Sequence, residues 1–99
     1  MEEIILQLIM HSGDARSCAM EAIQSAKSGD YEKAKCLLEE SADKLILAHN
    51  AQTTLIQAEA NGNKAEFSLL LIHAQDHLMS TITVKDLAEE FVEIYKRIK

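Results

Sequence analysis

The sequence predicts an all-α protein, an antiparallel bundle of three long helices forming one domain over residues 1–99. Three observations lead to this class. The 99 residues contain no Pro and only 3 Gly, whereas strands joined by tight turns need turn residues roughly every 8–12 positions. Hydrophobic residues make up 47% and charged residues 26%, as in folded globular proteins. Two glycine-containing turn signals divide the chain into three long segments, each with a helical pattern of apolar residues.

The first helix is predicted over about residues 2–28, and it ends at Ser28-Gly29-Asp30. Glycine suits the left-handed position that follows a helix, and aspartate suits the cap of the next one. Steps of three and four residues join the predicted buried positions, which are Ile5, Leu8, Ser12, Ala15, Ala19, Ala22 and Ala26. Gly13 lies inside this pattern, where it is either a tolerated residue or a point of close approach for another chain or a ligand.

The second helix is predicted over about residues 31–60 and the third over about residues 64–98, separated by Asn61-Gly62-Asn63. Asn63 is the predicted cap of helix 3. The stripe of helix 2 comprises Ala34, Leu38, Ser41, Leu45, Ala48, Gln52 and Leu55, and that of helix 3 comprises Ala65, Leu69, Ile72, Asp76, Met79 and Thr83. The β-branched run at 81–84 lowers helix propensity, so helix 3 either continues or kinks near Thr83, and we favour continuation.

The three stripes resemble the seams of coiled coils, and the short loops predict that consecutive helices run antiparallel. Apolar residues beside the stripes, among them Ile46, Ile56 and Phe91, widen the apolar surface. A monomer of three helices cannot easily bury that much apolar surface. The sequence therefore predicts self-association.

The net charge of −6 argues against a basic nucleic-acid-binding face and against adsorption to an anionic membrane. The run Leu69–Ile72 is too short to span a bilayer, and the acidic start of the chain is unlike a signal peptide. We expect a cytoplasmic protein that does not insert into membranes. Cys18 and Cys36 lack metal-binding or redox spacing and are expected to be free and reduced.

The segment at residues 73–79, His-Ala-Gln-Asp-His-Leu-Met, holds the candidate functional groups. His73, Asp76 and His77 are at i, i+3 and i+4, so they share one side of a helix. Asp76 also falls in the apolar stripe, where a carboxylate is costly unless it is paired or binds a cation.

Four interpretations are open from the residues alone. The segment is an exposed polar patch, a zinc site of the inverted H-x-x-E-H kind, a polar layer that fixes the register of a bundle, or a phosphoryl-transfer site. The zinc site has no evident third ligand, and His49 could serve only if helix 2 brings it close. A neutral imidazole is a good nucleophile near neutral pH, and His77 is placed one turn away to donate a hydrogen bond to a phosphoryl group on His73.

This segment resembles the active-site segment of the lactose/cellobiose family of enzyme IIA, from the bacterial phosphoenolpyruvate-dependent sugar phosphotransferase system. The resemblance extends in order along the chain. It includes the stretches at residues 12–17 (Ser-Gly-Asp-Ala-Arg-Ser), 26–31 (Ala-Lys-Ser-Gly-Asp-Tyr), 48–53 (Ala-His-Asn-Ala-Gln-Thr), 84–87 (Val-Lys-Asp-Leu) and 93–96 (Glu-Ile-Tyr-Lys).

The resemblance implies a phosphohistidine relay in the uptake of a disaccharide such as cellobiose, chitobiose or lactose. His73 would accept the phosphoryl group from the histidine phosphocarrier protein and pass it to enzyme IIB, with His77 stabilising the group and Gln75 in a supporting role. The family fold implies a homotrimer, a nine-helix bundle in which Asp76 from three subunits shares one divalent cation, expected to be Mg²⁺.

An apolar rim of Leu69, Leu70, Leu78 and Met79 is expected to surround His73 and to exclude water from a docked active site. The alternative function is a non-enzymatic helix-bundle adaptor with a polar register-setting layer. Such an adaptor would need no phosphorylation and would tolerate loss of His73.

Overall fold

The computed structural model describes residues 1–63 and 66–98, and over these residues it confirms the predicted all-α class. The three helices are α1 (Glu2–Lys27), α2 (Tyr31–Ala60) and α3 (Leu69–Arg97). They form an elongated bundle with extents of 54 × 20 × 17 Å. Because α2 returns along α1 and α3 returns along α2, α1 and α3 run parallel to each other.

The turn between α1 and α2 has the chemistry that the sequence predicts. Gly29 has a φ of +87°, a left-handed conformation that glycine adopts without steric cost. The side chain of Asp30 accepts a hydrogen bond from the Lys33 backbone N–H at 3.1 Å, and so caps α2. Ser28 caps the end of α1, which therefore finishes one residue before the predicted boundary.

The predicted start of helix 3 is wrong. Lys64 and Ala65 lie outside the described residues, but residues 66–68 are not helical and α3 begins at Leu69. Its cap is Ser68 rather than Asn63, since the Ser68 side chain accepts from the Leu71 backbone N–H at 3.1 Å. From there α3 continues without interruption through the β-branched run to Arg97.

The core consists of two apolar clusters made mainly of alanine and leucine. One joins Ile5, Leu8, Ala15, Leu45, Ala48, Ala51, Ala74 and Leu78, and the other joins Ala22, Ala26, Ala34, Leu37 and Val92. The alanines let the helices approach closely, as the sequence pattern of α1 predicts.

A buried polar layer lies between these clusters along α2 and α3. The Ser41 hydroxyl donates to the Ala15 carbonyl at 2.7 Å, and the Thr81 hydroxyl donates to the Ser12 carbonyl at 3.3 Å. Ser12, Ser41 and Thr81 are all fully buried. The two hydrogen bonds therefore attach both α2 and α3 to the same stretch of α1.

The stripe predicted on helix 3 does not face the core of the chain. Leu69, Ile72, Asp76, Met79 and Thr83 are all exposed. The buried side of α3 is instead formed by Ala74, Leu78, Thr81, Ala88 and Val92. Both sides of α3 are rich in apolar residues, and the one predicted to be a seam is left uncovered by α1 and α2.

Cys18 and Cys36 are both free, as expected. The buried Cys18 thiol donates a hydrogen bond to Glu40 Oε2 at 3.3 Å. Burial, together with the hydrogen bond and negative charge of Glu40, raises the pKa of Cys18 to about 11, so this thiol stays protonated at neutral pH. Cys36 is exposed.

Candidate functional site

The structure brings His73 and His77 together on the first half of α3. Their ring centroids are 5.7 Å apart and the ring planes differ by 7°, so the two imidazoles are stacked. His73 is exposed, and it shares a shallow depression with Leu69 and Leu70. His77 is half-buried. The pair thus combines one histidine that a partner can reach with one that the protein partly encloses.

The surroundings of His77 disfavour its protonated form. Burial lowers its pKa first, and the positive charges that His73 and Arg16 can carry lower it further, while Asp76 acts in the opposite direction. A neutral imidazole keeps one N–H donor and one acceptor nitrogen. At neutral pH His77 is therefore predominantly neutral, with a single N–H to offer to a neighbouring group.

The α1 helix meets this pair at Gly13. A β-carbon built on Gly13 would lie 3.5 Å from His77 Nε2, which is ordinary van der Waals contact. The missing side chain on α1 thus leaves space directly beside the imidazole on α3. The neighbour that the structure places beside Gly13 is a side chain of the same chain, His77, at a distance that would admit a methyl group.

Gln75 and Asp76 point elsewhere, into a groove between α2 and α3 with a volume of about 520 Å³. The groove is lined by Gln52, Leu55, Ile56, Glu59, Phe67, Leu71, Ile72, Gln75, Asp76 and Met79. The four predicted site residues therefore divide into two pairs, a histidine pair on one side of α3 and Gln75 with Asp76 on another.

The predicted apolar rim is only half correct. Leu69 and Leu70 lie beside His73, but Leu78 is fully buried in the core and Met79 lines the groove of Asp76. Leu78 directly follows His77 in sequence, but its side chain packs in the core against residues of α1. The apolar surface next to His73 is therefore smaller than the sequence suggests.

A metal site within one chain is not formed by the described residues. In the ranges 1–63 and 66–98, no three His, Cys, Asp or Glu side chains come together as ligands. The zinc interpretation, which needed a third ligand such as His49, therefore has no geometric support in this part of the chain.

Comparison with known proteins identifies the family to which this fold belongs. The family model described as "PTS system, Lactose/Cellobiose specific IIA subunit" matches residues 3–96. The chain belongs to this family. It is accordingly a phosphotransferase component that relays phosphoryl groups in sugar uptake, which confirms the function predicted from its motifs.

Individual IIA proteins are similar to this chain in both sequence and structure. The lichenan-specific IIA component of Bacillus subtilis is 56% identical over 98 residues, covering 99% of this chain and 89% of the relative. The crystal structure of a cellobiose-specific IIA from Bacillus anthracis superposes with a TM-score of 0.95 at 54% identity, covering 98% and 89% of the two chains. The IIA chain in solution structures of an Escherichia coli IIA(chitobiose)–HPr complex gives 0.85 at 40% identity, covering 98% and 94%.

Two structural contributors to the site of this IIA component were not assigned from sequence. Thr81 carries the hydrogen bond that attaches α3 to α1 beside the histidines, but in sequence it is only one of several β-branched residues. Arg16 acts on His77 from α1, and only the packing of α1 on α3 reveals that. Both depend on interactions between residues more than sixty positions apart, for which periodicity carries no signal.

Proposed function

We propose that His73 is the residue of this IIA component that carries the phosphoryl group. It would receive the group from the histidine phosphocarrier protein and deliver it to enzyme IIB, during uptake of a disaccharide such as cellobiose, chitobiose or lactose. The observation that carries the proposal is the stacked pair, in which an exposed His73 lies beside a half-buried His77.

The reaction requires a nucleophilic nitrogen that another protein can reach. A ring nitrogen of neutral His73 attacks the phosphorus of the donor's phosphohistidine, a new N–P bond forms, and the donor's N–P bond breaks with its imidazole as leaving group. The same exchange in reverse passes the group from His73 to the acceptor on enzyme IIB. His73 is exposed, so its ring is accessible to a docked partner.

His77 would stabilise the phosphoryl group rather than carry it. It is one helical turn from His73, and as a neutral imidazole it has one N–H to donate to a phosphoryl oxygen. Gln75 would support the site from the neighbouring groove, through contacts at the edge between subunits. The negative charge of the phosphoryl group would itself favour a protonated His77, which strengthens this hydrogen bond.

The depression formed by Leu69, Leu70 and His73 supports docking of a partner's active site at this position. Excluding water there protects the labile N–P bond during transfer. The relative from Escherichia coli was solved in a complex with HPr, which supports the same class of donor for this chain.

We also propose that the chain works as a homotrimer. The uncovered side of α3 includes Ile72, Met79 and Leu87, each of them more than half exposed, at 57%, 53% and 53%. An apolar stripe of this length along one helix is costly in water and is typical of an interface. Packing three copies of α3 around one axis would bury it in a nine-helix bundle.

Asp76 interrupts that stripe and would hold a divalent cation shared by the three subunits. Each chain would contribute its Asp76 carboxylate, and oxygen ligands of this type suit Mg²⁺. Three carboxylates drawn together without a counterion would repel one another. The cation would supply positive charge that holds the interface together, and it takes no part in the transfer at His73.

We propose a cytoplasmic location, where the phosphocarrier protein delivers its group. Within residues 1–63 and 66–98, none of the helices combines the length and the hydropathy needed to cross a bilayer. The sugar is expected to contact the membrane component, so it needs no binding site on this chain.

The relay is tested by measuring intact mass after incubation with phosphoenolpyruvate, enzyme I and the histidine phosphocarrier protein. Wild type is expected to gain one acid-labile phosphoryl group per chain, and His73→Ala is expected to gain none. His49→Ala, which alters an exposed histidine on another helix, is the matched control and should be phosphorylated like wild type.

Phosphorylation that survives His73→Ala would move the carrier to another histidine, with His77 tested next. No phosphorylation of wild type, with the partners active on a known IIA component, would contradict the relay. That result would favour the adaptor alternative.

A further inference from the structure

Gly13 on α1 has no side chain at the point where α1 passes His77 on α3. A β-carbon added at Gly13 would meet His77 Nε2 at 3.5 Å. Leaving aside Ser12, Asp14 and the adjacent backbone of α1, Nε2 is the one heavy atom of the described residues within 4 Å of that point. The space that a side chain would fill at residue 13 is therefore open, and it borders a nitrogen of the site.

The backbone around Gly13 is held firmly against both other helices. The Ser12 carbonyl accepts from Thr81 on α3, and the Ala15 carbonyl accepts from Ser41 on α2. Each of these hydrogen bonds lies in the fully buried layer. Because α1 is tied on both sides of Gly13, it cannot shift easily to move a new methyl group away from His77.

Glycine in the middle of a helix lowers helix stability relative to alanine. Gly13 needs no positive φ, since Gly29 and Gly62 are the glycines with that conformation among the described residues. A methyl group at 3.5 Å would also fit without a clash. Neither backbone conformation nor steric exclusion therefore accounts for glycine at this position, and the neighbour that remains is the imidazole.

We propose that Gly13 is a positioning residue for phosphoryl transfer, and that it keeps the approach to His77 Nε2 open. A hydrogen bond to this nitrogen needs an oxygen at about 2.7–3.2 Å, and a methyl group in van der Waals contact occupies part of the space through which that oxygen arrives. The inference rests on the proposed role of His77 beside a phosphoryl group on His73.

The test compares Gly13→Ala with wild type in single-turnover transfer from the phosphorylated phosphocarrier protein. We expect transfer to slow about tenfold, the order of one lost hydrogen bond to a charged group. The melting temperature should stay equal or rise, because alanine favours the helix. Gln24→Ala, at an exposed position further along α1, is the matched control and should raise stability without slowing transfer.

A double-mutant cycle separates an effect through His77 from a general effect on docking. Gly13→Ala in a His77→Ala background should add no further slowing, because the imidazole that the methyl group obstructs is gone. By NMR, the pKa of His77 should fall further in Gly13→Ala, since the methyl group removes water from the ring.

Wild-type rates in Gly13→Ala would overturn the proposal, and so would equal slowing with and without His77. Failure of the relay itself would look different. Wild type would then take up no phosphoryl group, or His73→Ala would still take one up, whatever residue occupies position 13.

Discussion

At the scale of single residues, the two histidines differ in environment although they lie one turn apart on the same helix. His73 is exposed, whereas His77 is half-buried and its pKa is lowered, first by burial and then by the charges of His73 and Arg16. Environment therefore distinguishes the proposed nucleophile, which partners can reach, from a neighbour whose protonated form is disfavoured, without any difference in residue type.

The lowered pKa of His77 predicts a pH dependence of stability. In the unfolded chain His77 titrates near its ordinary value of about 6.5, so below that pH the unfolded state binds more protons than the folded state. The contribution of His77 to stability is therefore present above about pH 6.5 and is lost as pH falls toward the lowered folded value.

This is measured as the difference in melting temperature between wild type and His77→Gln at pH 7.5 and pH 5.5. The difference should shift against wild type at the lower pH, because Gln does not titrate. A difference that is independent of pH, or that shifts in favour of wild type, would contradict the assigned direction.

At the scale of helices, the observed helix ends show which capping residues can be identified from a sequence. The α1–α2 turn was predictable because Gly29 and Asp30 stand together and each has a local role. The start of α3 was not, since Asn63 offered the same chemistry as Ser68 and came first in the chain. Capping side chains are identified by the N–H group they reach, which only the backbone path determines.

Ser68 should contribute to the stability of α3 the amount that one helix cap provides. Ser68→Ala removes the acceptor for the Leu71 N–H and should lower stability by about 1 kcal/mol. Ser68→Asp, which keeps an acceptor and adds favourable charge at the helix start, should restore it. Chemical denaturation of the three proteins checks this, and equal midpoints for Ser68→Ala and wild type would assign the start of α3 to other contacts.

Sequence periodicity was right for α1 and wrong for α3, for a physical reason. The predicted stripe of α1 is buried throughout, from Ile5 to Ala26. On α3 two apolar sides exist, one through Leu78 and Val92 and one through Ile72 and Met79. Periodicity detects an apolar side but not whether it meets the same chain or another, so the histidine pair was predictable and its packing partners on α1 were not.

For assembly of the protein, the uncovered side of α3 and the Asp76 carboxylate within it have opposite effects. Ile72 and Met79 flank Asp76 along the helix and line the same groove. If three copies assemble through this side, the apolar residues supply the attraction and Asp76 supplies repulsion that a cation must offset.

The melting temperature of the assembled protein should depend on a divalent metal. Wild type should sediment as a trimer whose melting temperature rises with Mg²⁺ and falls with EDTA. Asp76→Asn should remain a folded trimer, and its melting temperature should no longer respond to metal. Glu59→Gln, which removes a carboxylate from the wall of the same groove on α2, is the matched control and should keep the response. An unchanged metal response in Asp76→Asn would remove Asp76 from the proposed cation site.

The alanine-rich core also determines which kinds of substitution can damage this protein. Where Ala19, Ala22 and Ala74 are fully buried, there is almost nothing to delete, so cavities are hard to create there. Most substitutions at these positions can only add atoms, and added volume acts as a wedge that drives neighbouring helices apart. Since the histidine site depends on α3 lying close against α1, such a wedge would disturb the relay before it unfolded the chain. Selection for activity would then preserve these methyl-sized positions even where folding alone tolerated a change.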